Sequence, residues 1–153
     1  MKQVVLYTDG ACSGNPGAGG YAAILRYRTA ERVLSGGEVE TTNNRMELLA
    51  VIKGLEALKE SCSVNVYSDS SYVVNAFELG WLKGWMANAW RTADNKPVKN
   101  MELWQRLVDL CGKHLVTFNK VKGHSTDELN NRCDKIAREE IAKLAPNTEI
   151  VQE

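Results

Sequence analysis

The chain has 153 residues, of which 44% are hydrophobic and 25% charged, with 19 basic side chains set against 19 acidic ones. That length suits one domain, the composition is that of a folded protein rather than a disordered one, and no apolar run nears the ~18 residues of a membrane span. The N-terminus does not read as a signal peptide, since Asp9 interrupts it early. Balanced charge gives no general signature of a nucleic-acid binder, though it leaves room for a local basic patch.

Residues 3–8 are a short apolar, β-rich run ended by Asp9-Gly10. A glycine-rich loop is expected over residues 10–20, around Gly14-Asn15-Pro16-Gly17. It ends in Ala18-Gly19-Gly20 rather than Gly-Lys-Ser or Gly-Lys-Thr, which excludes a nucleoside triphosphate loop. Residues 21–27 and 32–40 read as two further strands, so the chain opens as an antiparallel meander. Residues 43–59 form the clearest helix, with Leu48, Val51, Ile52, Leu55 and Leu58 on one stripe. A strand follows over 63–68 and a helix over 70–79, while the tryptophan-rich stretch 81–90 has no clear period. Residues 101–111 read as a helix with Leu103, Leu107 and Leu110 on one side, and 116–121 as a strand. A last helix over 127–144 turns Leu129, Cys133, Ile136, Ala137 and Ile141 inward, and Pro146 is expected to end it in a polar tail, 145–153. Three strands followed by alternating strands and helices imply a single domain over 1–153, α/β in class, with helices packed on a mixed sheet.

Four cysteines, Cys12, Cys62, Cys111 and Cys133, form no C-x-x-C pair, and His114 and His124 complete no zinc spacing. They read as reduced thiols of a cytoplasmic protein.

Two strands end alike: Val4-Val5-Leu6-Tyr7-Thr8-Asp9 and Asn65-Val66-Tyr67-Ser68-Asp69. Tyr and Asp share a face in each, because side chains alternate along a strand. As parallel neighbours, the two strands would bring both carboxylates together at their carboxyl ends, where open α/β sheets place their sites. The ordinary alternatives are an Asp-Gly turn at Asp9 and a helix cap at Asp69. Glu47 fits a capping box with Asn44, yet shares a flank with Ala50 and Gly54, which could press on the sheet and carry Glu47 toward the aspartates. Asp134 fits a surface pair with Arg138, but also borders the buried stripe of its helix. Carboxylates converge only around a cation, and an all-oxygen set suits Mg²⁺ first and Mn²⁺ second. These residues therefore point to a metal-dependent phosphodiester enzyme.

The sequence closely resembles type I bacterial ribonucleases H. The matching pieces are Thr8-Asp9-Gly10, Gly14-Asn15-Pro16-Gly17, Thr41-Thr42-Asn43-Asn44-Arg45-Met46-Glu47-Leu48 and Asp69-Ser70. Thr92-Ala93-Asp94, Lys96-Pro97-Val98-Lys99-Asn100, Leu103-Trp104-Gln105-Arg106-Leu107, Val121-Lys122-Gly123-His124 and Asn131-Arg132-Cys133-Asp134 follow in order. The resemblance implies a ribonuclease H-like fold, with a five-stranded mixed sheet of three antiparallel and two parallel strands flanked by helices. It implies endonucleolytic hydrolysis of the RNA strand of an RNA–DNA hybrid by two metal ions, leaving 5′-phosphate and 3′-hydroxyl ends. Asp9, Glu47, Asp69 and Asp134 would hold the ions, Mg²⁺ or its substitute Mn²⁺, and His124 would assist proton transfer or product release. Cys12, Asn15, Thr42, Asn43 and Asn44 would meet the substrate in the minor groove and at a DNA phosphate. Ser71, Trp81, Trp85, Lys99 and Asn100 extend that surface. The partner implied is the hybrid duplex, with no membrane and no obligate protein partner, and the chain would act as a monomer.

Two features depart from the family pattern. Met86-Ala87-Asn88-Ala89 stands where many members carry a cluster of lysine and arginine that grips DNA, leaving Lys83, Arg91, Lys96 and Lys99. Ser71 replaces a common glutamine. Trp81, Trp85 and Trp90 could stack on sugars or pack a small apolar cluster. Two other readings remain: a hybrid-binding module that does not cut, and a transposase-like or resolvase-like nuclease.

Overall fold

The computed structural model describes residues 1–122 and 127–152, with side chains through residue 144. Strand β1 spans Lys2–Cys12, β2 Gly17–Tyr27 and β3 Ala30–Thr41. Helix α1 (Asn43–Glu56) precedes β4 (Cys62–Ser68), and α2 (Ser71–Glu78), α3 (Trp81–Ala87) and α4 (Met101–Lys113) follow it. Strand β5 (Leu115–Lys120) and helix α5 (Glu128–Gln152) complete the chain. The five strands lie in the order β3-β2-β1-β4-β5. The first three pair antiparallel, and β4 runs parallel to both β1 and β5. This is the mixed sheet expected from the order of strands and helices.

Alternation along β1 divides the core. Val4 and Leu6 join the large cluster beneath α1 and α4, which includes the fully buried Trp104. Tyr7 packs on the opposite face, with Ala22, Ile24, Cys133 and Ala137 under α5. The glycine within α1 has the role its sequence position suggested: a Cβ on Gly54 would lie 2.6 Å from Leu6 Cδ1, so its absence lets the helix settle on the sheet.

Several boundaries differ from the sequence reading. The glycine-rich stretch is mostly strand: Cys12 pairs with Gly19 and Ala11 with Gly20, which leaves residues 13–16 as the loop. Backbone pairing overrides glycine's weak strand preference there. Asp9-Gly10 is accordingly no turn but part of β1. Helix α1 stops at Glu56, with Ala57 as its cap. The stretch without a clear period contains α3, held by one buried anchor, Leu82. The backbone of α5 runs through Pro146, expected to be its end. Proline removes one helical N–H bond and bends a helix, but does not oblige it to stop.

Candidate active site

The register of the parallel pair creates the opening in which the site lies. Strand β4 pairs with β1 only as far as Tyr67 opposite Tyr7, whereas β1 continues beside β2 to Cys12. Past Tyr7, the β4 side of β1 is therefore free, and Asp9 and Gly10 line a cavity of about 530 Å³ there. Asp69 follows β4 directly and lines the same cavity. Helix α1 delivers Glu47 across Gly10, where a Cβ would lie 2.5 Å from the Glu47 backbone nitrogen. Gly10 is thus a point of close approach between strand and helix.

Asp9, Glu47 and Asp69 each contribute a carboxylate oxygen to a group whose members all lie within 4.8 Å of one another. Asp9 and Glu47 are buried, each 4% exposed, and Asp69 is half-buried. Neither ordinary alternative describes them. Helix α1 is capped by Thr42, whose Oγ1 accepts from Arg45 N at 3.2 Å, so Glu47 sits too far along to close a capping box. Helix α2 is capped by Ser70, whose Oγ accepts from Val73 N at 3.2 Å, which frees Asp69 from that role.

Asp134 also lines the cavity, but outside that close group of three. Its Oδ2 accepts from Arg138 at 2.8 Å, so the surface pair forms and Asp134 stands in the cavity wall at the same time. His124 lies outside the described residues.

Crowding of like charge shows in the carboxyl groups. Burial pushes the Asp9 carboxyl up to about 8, helped by Asp69 and Asp134 and opposed by the Gly10 N–H, which donates to Asp9 Oδ1 at 2.9 Å. Burial, then Asp9, raises Glu47 well above the ordinary carboxylate range. Glu47 Oε1 is buried without a hydrogen-bond partner. An orphaned carboxylate oxygen, an all-oxygen donor set and a cavity lining with no lysine or arginine among the described residues together fit a hard divalent cation.

The expected substrate contacts divide into groups. Cys12, Asn43, Asn44 and Ser71 line the cavity with the carboxylates. Asn15 Oδ1 accepts from Asn43 N at 3.2 Å, which ties the 13–16 loop to the first turn of α1 beside Thr42. Trp85 and Lys99 line a second cavity of about 330 Å³ instead. Trp85 also packs on Trp104, with ring centroids 5.4 Å apart, and Trp90 packs against the main core. Trp81, 40% exposed, lies in neither cavity. The tryptophan stretch is thus largely a packed apolar cluster, with one ring left facing solvent.

Tyr72 and Asn130 are among the lining residues that the sequence reading did not propose for the site. Tyr72 belongs to both cavities, and its hydroxyl accepts from Trp104 Nε1 at 2.9 Å and Asn100 Nδ2 at 3.3 Å. Asn100 therefore stands behind Tyr72, beside the site. Asn130 is 2% exposed, and its Oδ1 has no hydrogen-bond partner. The spacing i, i+4 from Asn130 to Asp134, which sets both on one helix face, was the available signal.

The family model described as RNase H matches residues 1–142. The chain belongs to the ribonuclease H family. It is 58% identical over 137 residues to the ribonuclease H of Chlorobaculum parvum, covering 90% of this chain and 94% of that protein. Against the ribonuclease H of Caldicellulosiruptor saccharolyticus, identity is 57% over 144 residues, covering 94% of this chain and 99% of the relative. Among solved structures, LC9-RNase H1, a type 1 RNase H with the type 2 active-site motif, superposes with a TM-score of 0.84 at 26% identity, covering 95% of this chain and 74% of that one. LC11-RNase H1, solved in complex with RNA/DNA hybrid, shares the fold at a TM-score of 0.67 and 24% identity, covering 92% of this chain and 97% of the other. The protein is a ribonuclease H, a metal-dependent endoribonuclease. Hydrolysis of the RNA strand of RNA–DNA hybrids is the activity of this family.

Proposed function

We propose that this ribonuclease H binds RNA–DNA hybrid duplexes and cuts the RNA strand with two Mg²⁺ ions, leaving 5′-phosphate and 3′-hydroxyl ends. The observation that carries the reading is the group of three carboxylates in a cavity whose lining, among the described residues, holds no lysine or arginine. Such a cavity repels a phosphodiester until cations neutralise it. Bound there, the ions supply Lewis acidity that activates water and shields the leaving oxygen.

The protein's own contribution is placement and exclusion. Asp9, Glu47 and Asp69 would hold the ions, with Asp134 completing the set from the cavity wall. Asp9 and Glu47, whose carboxyls burial raises, would meet an ion as carboxylates, since metal binding displaces protons from its ligands. Cys12, Asn43, Asn44 and Ser71 offer polar groups along the RNA path, where the 2′-hydroxyl separates RNA from DNA. Asn15 and Thr42 hold a DNA phosphate near the first turn of α1. Trp81, Trp85 and Lys99, with Asn100 behind Tyr72, carry the duplex past the second cavity. His124 moves a proton at the scissile phosphate or eases product release. We assign this work to one chain, acting as a single domain over 1–153 in the cytoplasm, a compartment consistent with four free thiols.

The test is a short duplex with one labelled RNA strand paired to DNA, incubated with protein and Mg²⁺, with and without chelator. RNA–RNA and DNA–DNA duplexes run beside it. Chelator-sensitive cutting of RNA in the hybrid alone is expected. Hybrid binding without cutting would overturn the reading.

A further inference from the structure

Helix α5 carries Asn130 and Asp134 into the cavity, yet it begins just after β5 on a different part of the chain from the other carboxylates. Apolar packing of Cys133 and Ala137 on the sheet holds the helix there, and polar links at its first turn add to it. Asp127 immediately precedes the helix. Its Oδ1 accepts from Leu129 N at 3.0 Å and Asn130 N at 3.3 Å, which caps the first turn. Its Oδ2 accepts from the Tyr7 hydroxyl at 2.8 Å. Tyr7 lies two residues before Asp9 on β1, on the same face. Its ring stacks on Tyr67 with centroids 4.8 Å apart, and Tyr67 lies two residues before Asp69. The Tyr7 carbonyl also accepts from Cys133 Sγ at 3.4 Å, next to Asp134.

One side chain therefore touches β4 through its ring and the cap of α5 through its hydroxyl, while its own strand carries Asp9. We infer that Tyr7 and Asp127 are positioning residues: their hydrogen bond sets the first turn of α5, and with it Asn130 and Asp134, against the Asp9 carboxylate for the cleavage step. The inference rests on the active-site reading above.

Tyr7→Phe removes the hydroxyl and keeps the stacked ring. Asp127→Ala removes both the cap and the acceptor. Asp127→Asn retains a cap, and its amide can donate to the Tyr7 oxygen. The full chain and each variant are compared on labelled hybrid with Mg²⁺, with Asp9→Asn beside them. Amide exchange at Leu129 and Asn130 and the Tm are measured on the metal-free protein. Tyr7→Phe is expected to lower kcat about three- to tenfold with KM nearly unchanged, and to speed exchange at both amides by a similar factor, the scale of one hydrogen bond. Asp127→Ala should match or exceed that loss, and Asp127→Asn should restore most of it. Tyr7→Phe with unaltered kcat and exchange, alongside an inactive Asp9→Asn, would overturn the positioning role and leave the site reading intact. A kcat loss that merely follows a fall in Tm, with no gain in Asp127→Asn over Asp127→Ala, would also overturn it. Asp9→Asn cutting at the full rate would instead overturn the site reading and the inference together.

Discussion

The carboxylate cavity and the tryptophan stretch lie side by side, share Tyr72, and are built in different ways. The cavity is made at the end of the main sheet by backbone that cannot move freely. Asp9 is a strand residue, Glu47 crosses a glycine that tolerates no Cβ, and Asp69 leaves β4 where its pairing with β1 ends. The stretch after α2 hangs on aromatic contacts. Trp85 lies against Trp104, Leu82 is buried, and Ala89 and Trp90 take left-handed backbone with φ of 54° and 60°. Trp90 N–H donates to the Trp85 carbonyl at 2.7 Å, closing that turn. Buried like charge makes the first region dependent on cations. The second combines packed tryptophans with Lys83, Arg91, Lys96 and Lys99. The first region is therefore expected to answer to cations, and the second to changes in side-chain packing.

The sharpest way to separate the two regions is Asp9→Asn. Cleavage should fall by at least about a thousandfold, a loss of ~4 kcal/mol of transition-state stabilisation. Stability without metal should rise instead. The folded protein raises Asp9 from 3.8 to about 8, so the stability this group contributes is complete below pH 3.8 and is lost as pH climbs toward 8. The variant should gain on the order of 2 kcal/mol at pH 8 and nothing at pH 4. Urea denaturation of metal-free protein at both pH values checks this, and a gain of equal size at pH 4 would contradict it.

Gly10→Ala tests the same region through its backbone. The added methyl would meet Glu47 N at 2.5 Å and the Met46 carbonyl carbon at 2.6 Å. Overpacking of this kind costs about 1–3 kcal/mol. Displacing Glu47 by about an ångström should lower kcat by up to roughly a hundredfold. Thermal melts and steady-state rates would show both losses, and an active, stable variant would mean that α1 approaches β1 less closely.

In the tryptophan stretch the expected signs change. Trp85→Ala should destabilise the protein by about 3 kcal/mol through lost packing on Trp104. Trp81→Ala, on the exposed ring, should leave stability within about 0.5 kcal/mol and raise KM for hybrid a few-fold. Equal effects on Tm would erase the distinction between the inward and outward rings.

The smallest effect concerns charge. With Met86-Ala87-Asn88-Ala89 in place of a basic cluster, the salt dependence of hybrid binding should be shallower than for a basic relative measured side by side. Lys99→Ala should reduce the log–log slope by about 0.9, the value for one phosphate contact on duplex DNA. Slopes equal to the relative's would show that the remaining cations suffice.

Local pattern carried much of the fold. Leu48, Val51, Ile52 and Leu55 mark α1 by helical spacing, and all four are buried against the sheet. The matched endings around Asp9 and Asp69 pointed to the parallel pair, because alternation tells which residues share a face. Where pattern failed, long-range pairing had decided the outcome. Glycines that look like loop became strand opposite Cys12 and Ala11, and Asp9-Gly10 lost its turn to the same pairing. The stretch with α3 showed no period because tryptophans point inward and outward without regular spacing. Asn130 was visible only through its distance of one helical turn from Asp134, a spacing that surface pairs also use.

By itself the sequence determined which residue types were available and which neighbours along each strand or helix they would share a face with, since those depend on local backbone geometry alone. It thereby set an all-oxygen group of carboxylates and the chemistry such a group can serve. Tertiary structure decided which of them meet. The end of β4 opposite Tyr7, the missing Cβ at Gly10 and the capping of both helices by Thr42 and Ser70 bring three carboxylates within reach of one cation, with Asp134 in the cavity wall. Like charges do not gather by local preference, and burying them together takes the packing of two helices and a sheet.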